Sequence, residues 1–387
     1  MKRYSTWPSY SEFEINQILK ILKSGKVNYW TGDQCKLFEN EFSSYIGNKF
    51  SIAVFNGSVA LELALRSFKL KKNDEVIVTS RSFIASASCV TNVGAKPIFA
   101  DVCMSSGNID INSIKQLINS KTKAILCVHL NGWACELDEL IKIKKKYNLF
   151  LIEDCSQAHG AKYKDRHVGT FGDIAIWSFC QDKIISTGGE GGIISTNSKK
   201  LYNIIWSAKD HGKKQNKLFS KDYKFKYVHD YFGSNYRMCE YQAVIGRSQL
   251  KKLENWVKIR NRNSSIYYKL ARKFKCLRTL EIPEHIYHSH YKVYIYIDKK
   301  FLKKNWNRDR ILKKINQIGI PCFTGACPEI YKEKIFKNLN LAPKKNNKNA
   351  KKLGETSLQF LVDPTISITK INNTYKILNN FFSSVSK

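Results

Sequence analysis

"NDEVIVTSRSFIASASCVTNVGAKPIFADV" runs from Asn73 to Val102, and it decides the fold. Asp74–Ser80 is β-branched at its centre, Val76–Thr79, which suits a strand. Phe83–Gly94 reads as a helix. Lys96–Val102 is apolar again and reads as a second strand. Strand, helix, strand is a βαβ unit, and such units build parallel sheets covered on both faces.

The same rhythm extends in both directions. "SIAVFNGS" (51–58) reads as a strand meeting a helix start. "VALELALRSF" (59–68) is that helix, with Ser58 as its expected N-cap. "KAILCVHL" (123–130) and "LFLIEDC" (149–155) are strands flanking the helix "ELDELIKIKKKY" (136–147). After Gly172 the pattern becomes strand, loop, strand, as "DIAIWSF" (173–179) and "GGIIST" (191–196). Residues 12–25 form an amphipathic helix ending at Gly25. Beyond about residue 255 the chain grows more basic, with "HYKVYIYID" (290–298) as a strand and a helix at the C-terminus. "KKNNKNAKK" (344–352) reads as an exposed helix leading into the strand "SLQFLVDP". The expectation is an α/β protein: a large, mostly parallel sheet domain over 1–254 and a smaller C-terminal α/β domain over 255–387.

Composition narrows the class. The chain has 387 residues, 43% of them hydrophobic, enough for two or three domains with a substantial core. No apolar run reaches the roughly 18 residues of a membrane span. "MKRYSTWPSYSEFE" lacks the apolar centre of a signal peptide. A soluble, cytoplasmic protein is expected. The eleven cysteines show no C-x-x-C pair and no zinc spacing, so buried reduced thiols and no metal site are expected. The net charge of +33 raises nucleic acid as a partner. The lysines are spread along the chain rather than gathered, and nearly all lie in polar runs, so a basic solvated surface is the plainer reading.

In an open parallel sheet, ligands bind beyond the carboxyl ends of the strands. Three segments bring polar groups there. At Asn56-Gly57-Ser58 a strand turns into a helix whose N-terminus favours a phosphate. In "LIEDCSQAHG" (151–160), Asp154 ends an apolar strand. In "SFCQDKIISTGGEGG" (178–192), Ser178 ends a strand and Lys183 follows, ahead of glycines 188, 189, 191 and 192. A phosphate cradle, a strand-end carboxylate and a loop lysine suit pyridoxal phosphate, which carries a phosphate, a ring nitrogen and an aldehyde. The glycines would let the backbone pass close to cofactor and substrate. On spacing alone an exposed loop lysine is the better reading of Lys183.

Four ordered blocks change that balance. They are Phe38–Leu65, Asn73–Val102, Ile152–Gly192 and Phe232–Leu250. Together they resemble the DegT/DnrJ/EryC1/StrS sugar aminotransferases, whose fold is the aspartate-aminotransferase-like fold type I of pyridoxal-phosphate enzymes. The resemblance implies residue roles. Lys183 matches the Schiff-base lysine and proton shuttle, and Asp154 the partner of the ring nitrogen. Gln157 matches a position beside the ring, and Phe83 an aromatic stacked on it. Gly57, Ser58 and Ser178 match phosphate contacts. Asn235 matches a phosphate contact made across a homodimer interface. The implied reaction moves the amino group of L-glutamate to a nucleotide-linked keto sugar, with pyridoxamine phosphate as the intermediate form. "GIPCFTGACPEIYKEKIF" (319–336) and "SLQFLVDPT" (357–365) are similar to enzymes aminating C4 of a dTDP-4-keto-6-deoxyhexose for O-antigen. The alternatives are a dehydratase of the same fold, in which histidine replaces the lysine, a nucleic-acid-binding protein, and a regulator that only senses metabolites. Cys180 and Asp182 occupy variable positions, and His159 and His211 receive no role.

Overall fold

A computed structural model describes residues 4–214 and 227–387. The strands are β1 (Phe50–Val54), β2 (Glu75–Thr79), β3 (Lys96–Ala100), β4 (Thr122–Val128), β5 (Phe150–Asp154), the short pair β6 (Lys162–Tyr163) and β7 (Arg166–His167), β8 (Ile174–Ser178) and β9 (Gly192–Thr196). In the C-terminal third they are β10 (Leu277–Arg278), β11 (Ile286–Tyr287), β12 (Val293–Ile297), β13 (Cys322–Phe323) and β14 (Ser357–Phe360). The helices are α1 (Glu12–Ser24), α2 (Gln34–Ile46), α3 (Gly57–Ser67), α4 (Ala85–Asn92), α5 (Ile111–Leu117), α6 (Leu137–Tyr147), α7 (Lys199–Lys209), α8 (Glu240–Leu250), α9 (Leu253–Lys273), α10 (Arg308–Gln317), α11 (Lys334–Asn338), α12 (Lys348–Thr356) and α13 (Ile368–Val385).

Seven strands form one sheet in the order β1-β9-β8-β5-β4-β2-β3. Only β9 runs against its neighbours, so the sheet is mostly parallel, as expected. The middles of its strands are apolar because both faces are covered. All five residues of β2 are buried. Ile77 faces the layer containing α2, α6 and α8, while Val76 and Val78 face α3, α4 and α7. Alternation along the strand thus feeds two cores, and each buried aliphatic side chain contributes about 1.5–3 kcal/mol.

Helix ends follow local chemistry. α1 starts on a capping box in which the Ser11 N–H donates to Glu14 Oε2 at 2.7 Å. It ends at Gly25, at φ 67°. α3 departs from expectation at its start. Its N-cap is Asn56, whose side chain accepts from the Val59 N–H at 2.9 Å, and Ser58 lies inside the first turn. Asn56 wins because its extended backbone and short amide reach that N–H together.

A four-stranded antiparallel sheet, β10-β12-β14-β13, carries its own core with α9, α10 and α13. The division expected at 254/255 falls in the first turn of α9. Contacts cross it at several places, among them the 2.8 Å bond between Tyr4 Oη and Thr374 Oγ1 and the pairing of β11 with β6. α12 starts at Lys348, within the lysine-rich tract, and runs into β14.

One lysine contradicts the picture of solvated lysines. Lys209, at the end of α7, is fully buried. Its ammonium lies 3.8 Å from Glu39 Oε1 and 3.6 Å from the centre of the Tyr29 ring. Burial pushes the pKa of Glu39 up and that of Lys209 down, while each opposes the shift of the other. All eleven cysteines are free, and seven are buried.

Candidate active site

The carboxyl ends of β1, β2, β4, β5 and β8 share one edge of the large sheet. Against that edge opens a cavity of about 600 Å³. Gly57, Ser58, Phe83, Asp154, Gln157, Ser178 and Lys183 all line it. Asn235 does not. It is exposed on the segment before α8, where Asp210 pairs with it as an isolated bridge.

Each wall has a local cause. Gly57 and Ser58 occupy the first turn of α3, where helical bonding leaves N–H groups without carbonyl partners. A Cβ on Gly57 would stand 2.7 Å from Ser178 Cβ and 3.1 Å from Ser178 Oγ. Glycine there lets the Ser178 hydroxyl close on the helix terminus. The result is a cradle of hydroxyl and N–H donors that fits a phosphate. Phe83 stands 67% exposed, with its ring free to receive another plane. Gln157 is fixed by the Asn131 N–H, which donates to its Oε1 at 2.9 Å.

Asp154 is buried, and one carboxylate oxygen takes the Ser156 N–H at 3.0 Å. Burial pushes its pKa up, which the Ser156 bonds and Lys183 only partly oppose. A cationic ring nitrogen would supply the missing counter-charge. Lys183 is held by its main chain: the Trp7 indole donates to its carbonyl at 2.9 Å, and its N–H donates to the Cys180 carbonyl at 3.0 Å. Its ammonium sits 5.2 Å from the centre of the Tyr291 ring. The donor cradle, the buried carboxylate and the primary amine together fit pyridoxal phosphate.

The glycines after Lys183 act differently from expectation, since none of the four lines the cavity. A Cβ on Gly192 would meet the Asn56 carbonyl at 2.5 Å, so this glycine lets β9 pass against the start of α3. Gly188 and Gly189 hold φ of 87° and 125° in the turn before β9. His159 is buried against Trp177 and Phe179, and burial lowers its pKa to about 3.

Sequence reasoning missed the wall built by the last hundred residues. Tyr291, Lys292, Tyr294, Cys327 and Gln359 line the cavity, as do Cys180 and Asp182. The Tyr291 hydroxyl donates to Asp182 Oδ2, and Lys292 Nζ lies 3.6 Å from the same oxygen. Burial resists ionisation of Asp182, but Lys183, Tyr291 and Lys292 outweigh it and hold its carboxyl below the usual range. Burial lowers the pKa of Lys292, with Asp182 opposing. Arg260, fully buried in α9, donates to the Tyr291 carbonyl at 2.9 Å and fixes this pair of residues. The signal available was a lone lysine, Lys292, entering the alternating strand β12.

A model of the DegT/DnrJ/EryC1/StrS aminotransferase family matches residues 8–378. An aminotransferase from Psychrobacter cryohalolentis superposes with a TM-score of 0.97 at 43% identity, covering 98% of this chain and 99% of that one. The GDP-perosamine synthase of Escherichia coli O157:H7 is 40% identical over 238 residues. That match covers 62% of this chain and 63% of the synthase, under two thirds of its length. The dTDP-3-amino-3,6-dideoxy-alpha-D-galactopyranose transaminase of Aneurinibacillus thermoaerophilus is 38% identical over 256 residues, 66% of this chain and 67% of that one.

Proposed function

We propose, since the chain belongs to the DegT/DnrJ/EryC1/StrS aminotransferase family and is a pyridoxal-phosphate-dependent aminotransferase, that it moves the amino group of L-glutamate onto a nucleotide-linked 4-keto-6-deoxyhexose. The observation that carries this reading is the cavity itself. It gathers a phosphate cradle, a buried carboxylate and a lysine at one sheet edge. The sugar assignment leans on the named activities of relatives and on the likeness of residues 319–336 to C4-aminating enzymes. dTDP-4-keto-6-deoxy-D-glucose is the first acceptor to try, and the 40% identity to a GDP-perosamine synthase makes a GDP-linked sugar the second. The product would serve O-antigen or a similar surface polysaccharide, made in the cytoplasm. Lys183, where dehydratases of this fold carry histidine, speaks against the loss of a hydroxyl.

Pyridoxal phosphate, when bound, supplies an electron sink and a carrier for the amino group. The chain's own residues do the rest. The Gly57 and Ser58 N–H groups and the Ser178 hydroxyl would hold the phosphate. Asp154 would keep a proton on the ring nitrogen, and Phe83 and Gln157 would hold the ring. Lys183 takes the proton from the donor's α-carbon and later gives one to the acceptor's carbon. Glutamate with dTDP-, GDP- and UDP-linked keto sugars, read by mass spectrometry, tests the reading. One sugar should gain an amine in place of its ketone oxygen. Failure of every sugar while glutamate is still consumed would sink the acceptor class.

Lys292 is the cation we assign to the donor's α-carboxylate. That carboxylate is bonded to the carbon that reacts beside Lys183, and both lysines face the Tyr291 ring, at 4.7 Å and 5.2 Å. A sugar diphosphate lies farther from its reacting carbon. Lys292→Met should raise the KM for glutamate by about 10- to 150-fold, the worth of a charged hydrogen bond. The KM for the sugar should hardly move. An unchanged glutamate KM rules the assignment out.

Asn235 is exposed beside Tyr231 and Phe232, which are 64% and 104% exposed. This suits a segment that reaches the cofactor phosphate of a second copy in a two-fold homodimer. Asn235→Ala should then weaken cofactor retention, and mixing it with a Lys183→Ala chain should restore one working site per mixed dimer. Activity no higher than that of the parents, in tagged dimers verified as mixed, would mean that each site is built from one chain.

A further inference from the structure

Arg81 follows β2 and is 1% exposed. Its Nη1 donates to Tyr296 Oη at 3.3 Å, while Nε and Nη2 have no hydrogen-bond partner among the described residues. Its guanidinium carbon lies 4.8 Å from the centre of the Tyr294 ring and 5.9 Å from that of Tyr296. Those π-faces attract the cation but leave its two buried nitrogens, with three N–H bonds between them, without acceptors. A buried charge without a counter-charge is an arrangement that folded chains avoid.

A second cavity, of about 20 Å³, opens against this guanidinium. Arg81, Trp133, Tyr268, His288, Tyr294 and Tyr296 are among its walls, and no carboxylate is. Trp133 Nε1 is likewise buried without a partner among the described residues. The His290 N–H donates to His288 Nδ1 at 2.8 Å, so the neutral His288 ring carries its proton on Nε2. Burial, and then His290, keep that ring neutral by holding its pKa well below the ordinary value. The walls therefore offer donors and one positive charge, and they lack a negative acceptor. The volume suits one water or one monatomic ion. A water brings hydrogens of its own and no charge. A halide only accepts, and it neutralises Arg81.

We propose that Arg81 and Trp133 form a binding site for a small monovalent anion, chloride in the cell. The site is separate from the cofactor cavity, because only Tyr294 lines both. The Ala326 N–H donates to Tyr294 Oη at 2.8 Å. The ring dividing the two cavities is thus tied on one side by Ala326 and faced on the other by Arg81.

The test uses the full chain loaded with cofactor. Crystals soaked in sodium bromide should show an anomalous peak in this cavity, against the Arg81 and Trp133 side chains. In solution, replacing gluconate by chloride at equal ionic strength should raise the melting temperature by about 2–4 °C, the linkage expected of a singly bound ligand. Arg81→Met should abolish that rise. A cavity without anomalous density overturns the proposal, and so does a chloride response that survives Arg81→Met. Should Arg81→Met fail to fold, the bromide map on the unmodified chain decides alone.

Discussion

Lys183→Ala is expected to keep its fold and lose transamination, by at least about 10²- to 10⁴-fold, the range that a positioned proton carrier contributes. The site gives the reason. Lys183 and Lys292 are the two amines lining the cavity among the described residues, and only Lys183 sits on the loop leaving β8 beside Ser178. The loop's anchors do not use the lysine side chain. Trp7 and Cys180 hold its main chain, and Gln249 Oε1 takes the Ser186 N–H at 2.8 Å. Truncation therefore removes the amine without loosening the loop, and the circular dichroism and melting temperature should match wild type. Two measurements check the chemistry. Single turnover from the pyridoxamine form should collapse. Borohydride reduction should fix cofactor mass to the wild-type chain and not to the variant. If turnover persists at the wild-type rate, Lys183 leaves the mechanism and Lys292 becomes the amine to test.

Asp154→Asn has the second largest effect. Asparagine keeps the shape and can still accept the Ser156 N–H through its amide oxygen, so cofactor should still bind. What would be lost is the negative charge that, on the proposed function, holds a proton on the ring nitrogen. A charge-assisted bond is worth about 1.5–3 kcal/mol, so turnover should fall by about 10- to 150-fold. Because burial already disfavours the ionised Asp154, the cofactor-free variant should melt no lower than wild type. Near-full turnover would mean that another residue partners the ring.

The large sheet was legible because its strands are short apolar runs separated by helices, and a βαβ rhythm leaves little topological freedom. The edge residues were legible for the same reason, since a polar group ending such a strand has one place to go. Asp154, Ser178 and the turn at Gly57 follow from that rule. Tyr291, Lys292 and Gln359 do not. They reach the cavity only because the C-terminal third folds back over the sheet edge, and no local pattern records that approach. Asn56 was missed as a cap because two neighbouring residues both carry capping chemistry, and the turn's backbone decides between them. Lys209 was hidden by abundance: with 65 basic residues, one buried lysine has no distinguishing mark in the sequence.

That lysine constrains how this lineage can change. Removing either Lys209 or Glu39 alone strands the other charge in the interior, at a cost of about 3–5 kcal/mol. A domain's whole margin is about 5–15 kcal/mol. Replacing both with apolar residues of matching volume leaves no buried charge, and its cost falls to that of the Ala53 N–H, which loses Glu39 as its acceptor, about 1–3 kcal/mol. Single substitutions here are steeper than the double substitution, so the two positions are expected to change together. The route between the charged and apolar versions of this core crosses a fitness valley one mutation wide.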